Sequence, residues 1–235
     1  NIESHITRRK KLLNLYNLPY ITHLLQKDNK LKWKQETSKK EYKARVKKII
    51  SYINNGDIFQ TNYTHKFTAQ KPHNLSDSSF YISSRNKTQS PFSAFLSFDG
   101  VSVCSFSPER FIKVSNLTVI TSPIKGTIKT SSNKIKDKAL KENLMKSEKN
   151  LAENLMIVDV LRNDISKVCT KGSVKVKQLA ELKSFKNVHH LVSTIEGKLK
   201  SEKYILDLLI SCLPGGSVTG APKIRAMEII SELEK

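Results

Sequence analysis

Residues 92–120, FSAFLSFDGVSVCSFSPERFIKVSNLTVI, indicate the fold class most directly. Two apolar runs, Phe92 to Phe98 and Val101 to Phe106, are joined by Asp99-Gly100, a dipeptide typical of the two-residue turn of a β-hairpin. The remainder of the stretch repeats the pattern, with apolar runs on either side of Ser115-Asn116. The sequence therefore predicts two antiparallel hairpins in succession.

Further strand and helix patterns surround these hairpins. The strand patterns are Phe59 to Thr68, Phe111 to Val114, Leu117 to Ile120, Val174 to Leu179 and Val188 to Ile195. The helical patterns are Lys39 to Asn54, about Asn143 to Lys167, Tyr204 to Cys212 and Pro222 to Leu233. The lysine-rich stretch from Lys129 to Lys138 is predicted to be a loop that leads into the second helix. Because hairpins and helices are mixed without regular βα alternation, we predict an α+β fold.

The net charge raises the question of a nucleic-acid partner. The 235 residues include 41 basic and 21 acidic side chains, a formal net charge of +20. Half of this excess, +10, lies in residues 1–50, and only 7 of the basic residues are arginine, whose planar fork dominates base recognition. We therefore predict lysine-rich solvated surfaces and no nucleic-acid partner, with non-specific phosphate binding by the N-terminal segment as the alternative.

Composition also predicts organisation and location. Hydrophobic residues make up 38% of the chain, enough to bury a core. The chain has no apolar run near the ~20 residues of a membrane span and no secretory-signal pattern at its start. Its three widely spaced cysteines, Cys104, Cys169 and Cys212, suggest reduced core residues of a cytoplasmic protein. Residues 1–38 are predicted to be a basic segment or the remnant of an N-terminal domain, and residues 39–235 one further domain.

A glycine-rich run, GGSVTGAPK at residues 215–223, precedes the last predicted helix. Small residues let backbone N–H groups approach a ligand, and a helix N-terminus attracts anions. The run lacks the Gly-Lys-Ser/Thr ending of a phosphate-binding P-loop. It predicts either a carboxylate or phosphate site, or a glycine-rich turn followed by a helix cap.

Two motifs contain side chains that could take part in a reaction. In Pro-Ile-Lys-Gly-Thr, proline and glycine restrain the backbone around Lys125, and a desolvated lysine can act as a nucleophile. An ordinary surface position is the alternative, since the chain has 34 lysines. In Ser-Pro-Glu-Arg-Phe, Glu109 could be a general acid or could form a surface pair with Arg110.

Three other groups, Glu153, Arg162-Asn163-Asp164 and His189-His190, are weaker candidates. The first two lie on the second helix, whose apolar stripe we expect to face the core; the stripe consists of Leu151, Leu155, Val158, Leu161, Ile165 and Val168. Glu153 lies opposite this stripe and is the type of ligand that Mg²⁺ prefers, but one carboxylate does not make a metal site. Arg162-Asn163-Asp164 is interpreted as structural, and His189-His190 as hydrogen-bonded core histidines.

Together and in this order, the motifs resemble the chorismate-utilising enzymes, which include anthranilate synthase component I, aminodeoxychorismate synthase component I and the isochorismate synthases. The resemblance extends from about Glu36 to Lys235. It rests on GDIFQ (56–60), SPERF (107–111), PIKGT (123–127), AENLMIVD (152–159), RND (162–164), HLVS (190–193) and GGSVTGAPK (215–223). It implies antiparallel sheets packed in a sandwich with helices on the outside, incomplete here at the C-terminus.

The resemblance also implies an activity. Anthranilate synthases typically have a small residue at the position of Lys125, whereas a lysine is similar to aminodeoxychorismate synthases. In these, the amine attacks C2 of chorismate and the C4 hydroxyl leaves, assisted by the acid that corresponds to Glu109. Ammonia then adds at C4 and expels the lysine, which gives 4-amino-4-deoxychorismate for para-aminobenzoate and folate biosynthesis.

Ligands and a partner follow from the same resemblance. The residues implied to bind substrate are Gly126, Thr127, His190, Thr219, Gly220 and Lys223. Glu153 would be one of two carboxylates that hold Mg²⁺. No amidotransferase domain is recognisable, so a separate glutamine amidotransferase subunit is expected to supply the ammonia.

The chain departs from the family pattern in three ways. Asn150 replaces a usual aspartate, and Thr130 replaces a frequent arginine. The chain also ends at Lys235, inside the last motif helix, whereas family members continue and supply the second metal glutamate. Weak or absent synthase activity is therefore expected of this chain alone. The alternatives are anthranilate synthase component I, distinguished by Lys125, and a truncated inactive remnant.

Overall fold

The structure is a computed structural model that describes residues 31–234. Most of the predicted N-terminal segment, residues 1–30, lies outside the described residues. The helices within the described range are α1 (Lys39–Asn54), α2 (Asp77–Thr88), α3 (Lys134–Met145), α4 (Glu148–Ser166), α5 (Ile205–Cys212) and α6 (Lys223–Leu233).

The strands of the same range pair only in antiparallel fashion. They are β1 (Lys34–Gln35), β2 (Gln60–Thr61), β3 (Phe67–Thr68), β4 (Phe92–Phe98), β5 (Val101–Ser107), β6 (Arg110–Ser115), β7 (Thr118–Ser122), β8 (Ile124–Lys129), β9 (Lys175–Ser184), β10 (Val188–Lys198) and β11 (Gly220–Ala221). The predicted α+β class with antiparallel sheets is confirmed. The packing of the sheets as a sandwich stays a prediction.

The chain forms two compact units. Of the described residues, the first unit contains those up to Glu36 together with Lys66–Pro108, and the second contains Thr37–His65 and those from Glu109 onward. The predicted division into residues 1–38 and 39–235 stays a prediction. The grouping of Lys66–Pro108 with the N-terminal residues was not predicted from the order of the motifs.

The first unit is built on the β4–β5 hairpin. Its register, from Phe92 opposite Ser107 to Phe98 opposite Val101, confirms the hairpin predicted from Asp99-Gly100. Helix α2 packs on it through Tyr81, whose ring centroid lies 5.5 Å from that of Phe95 and equally far from that of Phe106.

The second unit contains a five-stranded sheet with strand order β6-β7-β10-β8, and β9 pairs with the other edge of β10. Helix α4 packs on β8, β9 and β10. The buried cluster of this unit joins α4, α5, β7 and β10, and its members are Val119, Ile157, Val158, Leu161, Ile165, Val168, Cys169, Ile195, Leu199, Leu208 and Cys212. The sheet and α4 thereby fix the strands that contain the predicted site residues.

A second cluster joins α1 to α6. Its buried residues are Ile49, Ile58, Ala226, Ile229 and Leu233. Beside it, β2 pairs with β11 through Gln60–Ala221 and Thr61–Gly220. The glycine-rich run is therefore anchored at its C-terminal end by a strand more than 150 residues earlier in the chain.

Several expectations about secondary structure are wrong. The segment from Phe59 to Thr68 is not one strand, because its ends pair with different partners, β2 with β11 and β3 with β1. The lysine-rich stretch is not a loop throughout: α3 begins at Lys134, because the side chain of Asn133 accepts a hydrogen bond from the Lys136 N–H and caps the helix.

The predicted apolar stripe of the second helix is wrong at its start. Leu151 and Leu155 are 38% and 49% exposed. The polar Asn154 is buried instead, because its Nδ2 donates to the Leu191 carbonyl (3.4 Å) and its Oδ1 accepts from the Ser193 hydroxyl. The amide thus satisfies polar groups of β10 that apolar side chains would leave unpaired.

Candidate active site

Lys125 and Glu109 lie close together in the second unit. Lys125 is on β8, and Glu109 immediately precedes β6. The Glu109 carboxyl accepts hydrogen bonds from the Ser217 hydroxyl and the Ile124 N–H, and the charge of Lys125 acts on it. Burial nevertheless dominates and raises the pKa of Glu109 above its ordinary value. The site therefore combines an amine with a carboxyl group that retains its proton more readily than usual.

Thr127 and His190 form the second part of the site. They are opposite each other in the β8–β10 pairing, and Thr127 Oγ1 lies 2.8 Å from His190 Nδ1. The register of the β8–β10 pair shifts between His190 and Val192, so the alternation of side chains is interrupted between Thr127 and Lys125. Thr127 and His190 therefore share a face of the sheet, but the pairing does not put Lys125 on it. Burial, followed by the neighbouring His189, lowers the pKa of His190, which favours a neutral imidazole.

Gly126 has a structural reason to be glycine. Its φ is +92°, and an added Cβ would lie 3.2 Å from both Asn150 Cβ and Leu191 Cδ1. Helix α4 approaches β8 closely at this point. The approach holds the backbone on the C-terminal side of Lys125, as the motif predicted.

The glycine-rich run forms a tight turn that is stabilised by a hydrogen bond between two of its own residues. Thr219 is buried, and its hydroxyl donates to the Gly215 carbonyl (3.0 Å). Asn62 holds the turn from outside: its Nδ2 donates to the Ser217 carbonyl (3.0 Å) and its N–H to the Thr219 carbonyl (2.8 Å). These bonds fix Ser217, and with it the hydroxyl that donates to Glu109.

Lys223 is engaged in an ion pair. Its Nζ lies 2.8 Å from Oδ2 of the fully buried Asp164 and also donates to the Cys212 carbonyl (3.1 Å). The contact joins α4, α5 and α6, and Lys167 adds a second bond to the same carboxylate (3.2 Å). Asp164 of the Arg-Asn-Asp motif thus has a structural role, as the sequence analysis interpreted it. A chorismate contact for Lys223 stays a prediction.

Glu153, the predicted Mg²⁺ ligand, is not part of a complete metal site among residues 31–234. Its side chain is 34% exposed, and Lys149 Nζ lies 3.9 Å from its Oε1. Among residues 31–234 there is no group of three or more His, Cys, Asp and Glu side chains placed to hold a metal ion. Glu153 has the oxygen that Mg²⁺ favours, but the described residues do not complete a site, so the role of Mg²⁺ stays a prediction.

The two histidines are confirmed as hydrogen-bonded core residues. His189 is 2% exposed and His190 is 8% exposed. Sequence reasoning missed the partners of His189, which are Ser184 (2.9 Å) and Asp137 (2.9 Å). Asp137 comes 52 residues before His189, inside the stretch predicted to be a loop, and no local pattern relates the two.

The remaining predictions about composition are consistent with the structure. The three cysteines are free, with Cys169 and Cys212 in the core, and burial raises the pKa of Cys169 to about 11. Within residues 31–234, none of the helices combines the length and the apolar character that a membrane span requires.

Comparison with known proteins identifies the family. The model of the chorismate binding enzyme family matches residues 2–235, so the match includes the basic N-terminal segment. Aminodeoxychorismate synthase component 1 of Klebsiella aerogenes is 43% identical over 202 residues, which are 86% of this chain and 44% of that protein. Anthranilate synthase component 1 of Acetivibrio thermocellus is 39% identical over 212 residues, 89% of this chain and 42% of that protein.

Solved structures agree with this assignment. The crystal structure of anthranilate synthase component I from Streptococcus pneumoniae TIGR4 matches with a TM-score of 0.77 and 31% identity, over 99% of this chain and 51% of that one. The chain thus spans about half of that structure and less than half of the curated relatives described above. On sequence and fold together, the chain belongs to the chorismate binding enzyme family.

Proposed function

We propose that this protein converts chorismate and ammonia to 4-amino-4-deoxychorismate, the reaction of aminodeoxychorismate synthase. The observation that carries the proposal is that the charge of Lys125 acts on the half-buried carboxyl of Glu109, which retains its proton more readily than usual. Relatives that bear this name are 43%, 41% and 42% identical over 202 residues each. Because the chain spans 44% of their length, the activity of the whole protein is part of the proposal.

The proposed reaction has two substitution steps. The nitrogen lone pair of Lys125 forms a bond to C2 of chorismate, the ring double bonds shift, and the C4–O bond breaks. Glu109 gives its proton to the leaving hydroxyl, which departs as water. The Glu109 carboxylate takes back the proton that the new C2–N bond releases. Ammonia then bonds to C4, the double bonds shift back, and the C2–N bond breaks as the proton released by the new C4 ammonium group passes to the Lys125 nitrogen. Overall, chorismate and ammonia are converted to 4-amino-4-deoxychorismate and water.

The surroundings of Glu109 support its part as the acid. A general acid works best when its pKa lies near the operating pH, and burial shifts Glu109 in that direction. The Ser217 hydroxyl and the Ile124 N–H orient the carboxyl. Thr127, two residues after Lys125 on β8, and its partner His190 would bind the polar groups of chorismate and hold C2 near the amine.

Anthranilate synthase is the second candidate function. Relatives with that name are 39% and 38% identical over 212 and 203 residues, so overall similarity does not separate the two activities. The separation rests on Lys125. In an anthranilate synthase the lysine would not form a bond to the substrate, and its replacement would leave product formation largely intact.

Product analysis tests the proposal against this alternative. Chorismate and ammonia are supplied, and the products of wild type, Lys125→Ala and Lys129→Ala are separated by chromatography. Lys129 is a matched control because it is an exposed lysine of the same strand β8. We expect Lys125→Ala to abolish 4-amino-4-deoxychorismate formation and Lys129→Ala to retain it. Anthranilate formation that is unchanged in Lys125→Ala would refute the proposal in favour of the alternative.

A partner and a metal ion complete the proposal. The relatives are named component 1, which implies a second component, and we propose a glutamine amidotransferase subunit that delivers ammonia. Glutamine should then support product formation only when that subunit is added. Glu153 is proposed as one ligand of Mg²⁺, so Glu153→Gln should weaken Mg²⁺ binding in a calorimetric titration. A cytoplasmic location and use of the product for para-aminobenzoate and folate belong to the same proposal.

A further inference from the structure

His189 connects three elements of the second unit through its ring. It is the second residue of β10 and almost fully buried. Its Nδ1 lies 2.9 Å from the hydroxyl of Ser184 at the end of β9, and its Nε2 lies 2.9 Å from Oδ1 of Asp137 in α3. We refer to Asp137, His189 and Ser184 together as the histidine clamp.

The contacts of Asp137 fix the direction of the hydrogen bonds in the clamp. Oδ1 of Asp137 also accepts from the Ser131 N–H (2.8 Å), and Oδ2 is 2.9 Å from Lys141 Nζ. Lys141, the Ser131 N–H and His189 all lower the pKa of Asp137, in that order, so the carboxylate is ionised at neutral pH. An ionised carboxylate only accepts hydrogen bonds. In the neutral ring, Nε2 therefore donates to Asp137, and Nδ1 accepts from the Ser184 hydroxyl.

The clamp holds His190 from two sides. His189 precedes His190 in β10, so fixing the His189 ring fixes the backbone from which the next imidazole projects. Ser184 precedes Phe185, whose ring lies edge-on against the His190 ring at 5.5 Å between centroids. The hydroxyl bond of Ser184 thus positions the aromatic side chain that packs on His190. The His190 ring also contacts Thr127 through Nδ1.

We propose that the histidine clamp is a positioning device for the His190 imidazole, set by Asp137 and transmitted through His189 and Ser184. None of the three residues is among those implied to bind substrate. They restrict the His190 ring to the orientation in which Nδ1 meets Thr127 and Nε2 is directed away from it. The inference depends on the proposed function only in that His190 is expected to contact chorismate.

The test measures the His190 side chain directly and needs no turnover. Diethyl pyrocarbonate modifies neutral imidazoles, and tandem mass spectrometry distinguishes His190 from His189. Ser184 is exposed, so Ser184→Ala should fold. We expect it to modify at His190 about fivefold faster than wild type, the change in open population that follows from the loss of one hydrogen bond worth about 1 kcal/mol. Ser184→Thr, which keeps the hydroxyl, should restore the rate.

Ser173 provides the matched control. Its hydroxyl accepts from the Lys198 N–H (3.1 Å) at the opposite end of β10, so Ser173→Ala also removes a serine hydroxyl that holds this strand. We expect its His190 rate to equal that of wild type. Asp137→Asn, in which Nε2 loses its charged acceptor, should raise the rate at least as much as Ser184→Ala.

Two results would overturn the inference: a wild-type rate in Ser184→Ala, or an equal increase in Ser173→Ala. The proposed function can fail separately. If the His190 modification rates change as expected but Lys125→Ala still makes product, the positioning role of the histidine clamp is supported and the proposed reaction is refuted.

Discussion

Replacement of Gly220 by alanine tests the account of the glycine-rich turn. Gly220 is paired with Thr61 in the β2–β11 pair, and an added Cβ would lie 2.2 Å from the Gln60 carbonyl oxygen. It would also lie 2.9 Å from Ala226 Cβ. Because the nearest atom belongs to the backbone of a paired strand, no side-chain rotation relieves the clash, and either β2 or α6 must move.

The magnitude follows from the cost of overpacking. Inserted methyl groups in well-packed interiors typically cost about 1–3 kcal/mol of stability. Because the clashing atom at Gly220 belongs to the backbone, which yields less easily than a side chain, we expect Gly220→Ala to cost about 3 kcal/mol. This is a large share of the roughly 5–15 kcal/mol by which native domains are stable. The expected effect is therefore a clear shift of the unfolding midpoint.

Gly215→Ala in the same turn is the control. Its added Cβ would be no closer than 3.4 Å to any atom, and the nearest is Cε2 of Phe111. We expect a change within about 0.5 kcal/mol. The assay is urea unfolding followed by circular dichroism, with identical conditions for both variants. Equal free energies of unfolding for Gly220→Ala and Gly215→Ala would refute the packing argument.

Three other predictions concern buried groups. Lys223→Met leaves the buried Asp164 without its closest cation. It should lower the free energy of unfolding by about 3 kcal/mol, the lower end of the cost of breaking a buried ion pair. A loss under about 0.5 kcal/mol, the range of ordinary surface substitutions, would contradict a structural role for this ion pair. Burial raises the pKa of Glu109 above 4.5, so the folded state binds the carboxyl proton more tightly than the unfolded state does. Wild type should therefore lose stability relative to Glu109→Gln as the pH rises through the folded-state pKa. Unfolding curves that keep a constant difference between pH 4 and pH 8 would argue against this shift. Finally, iodoacetamide at about pH 8 should alkylate the half-exposed Cys104 well before Cys169, and peptide mapping that shows equal rates would contradict the assigned burial.

Local signals predicted the regular elements well. Helix α1 has the predicted bounds because Ser38 and Glu41 form a capping box at its start and Asn55-Gly56 follow its end. The β4–β5 hairpin follows from the chemistry of its turn. In both cases the information lies within a few residues of the element itself.

The missed elements depend on partners distant in sequence. Helix α2 (Asp77–Thr88) is rich in serine and has only a weak apolar pattern; its one local signal is Ser76, whose side chain accepts from the Ser79 N–H at the helix start. Its stability comes from packing against β4 and β5.

The site was predictable by motif but not in its contacts. The motifs identified Lys125 and Glu109, yet nothing local indicates that Ser217 donates to Glu109 from a turn more than 100 residues later. The pairing of Asp137 with His189 is hidden for the same reason. These contacts arise only when segments distant in sequence fold together, so single-sequence patterns do not contain them.

Mass spectrometry of the chain incubated with chorismate in the absence of ammonia shows whether Lys125 is a covalent nucleophile. We expect an added mass equal to chorismate less one water, located on Lys125, absent in Lys125→Ala and present in Lys129→Ala. Added ammonia should discharge it and release 4-amino-4-deoxychorismate. A chain that binds chorismate without forming this adduct, or an adduct that persists in Lys125→Ala, would contradict the claim.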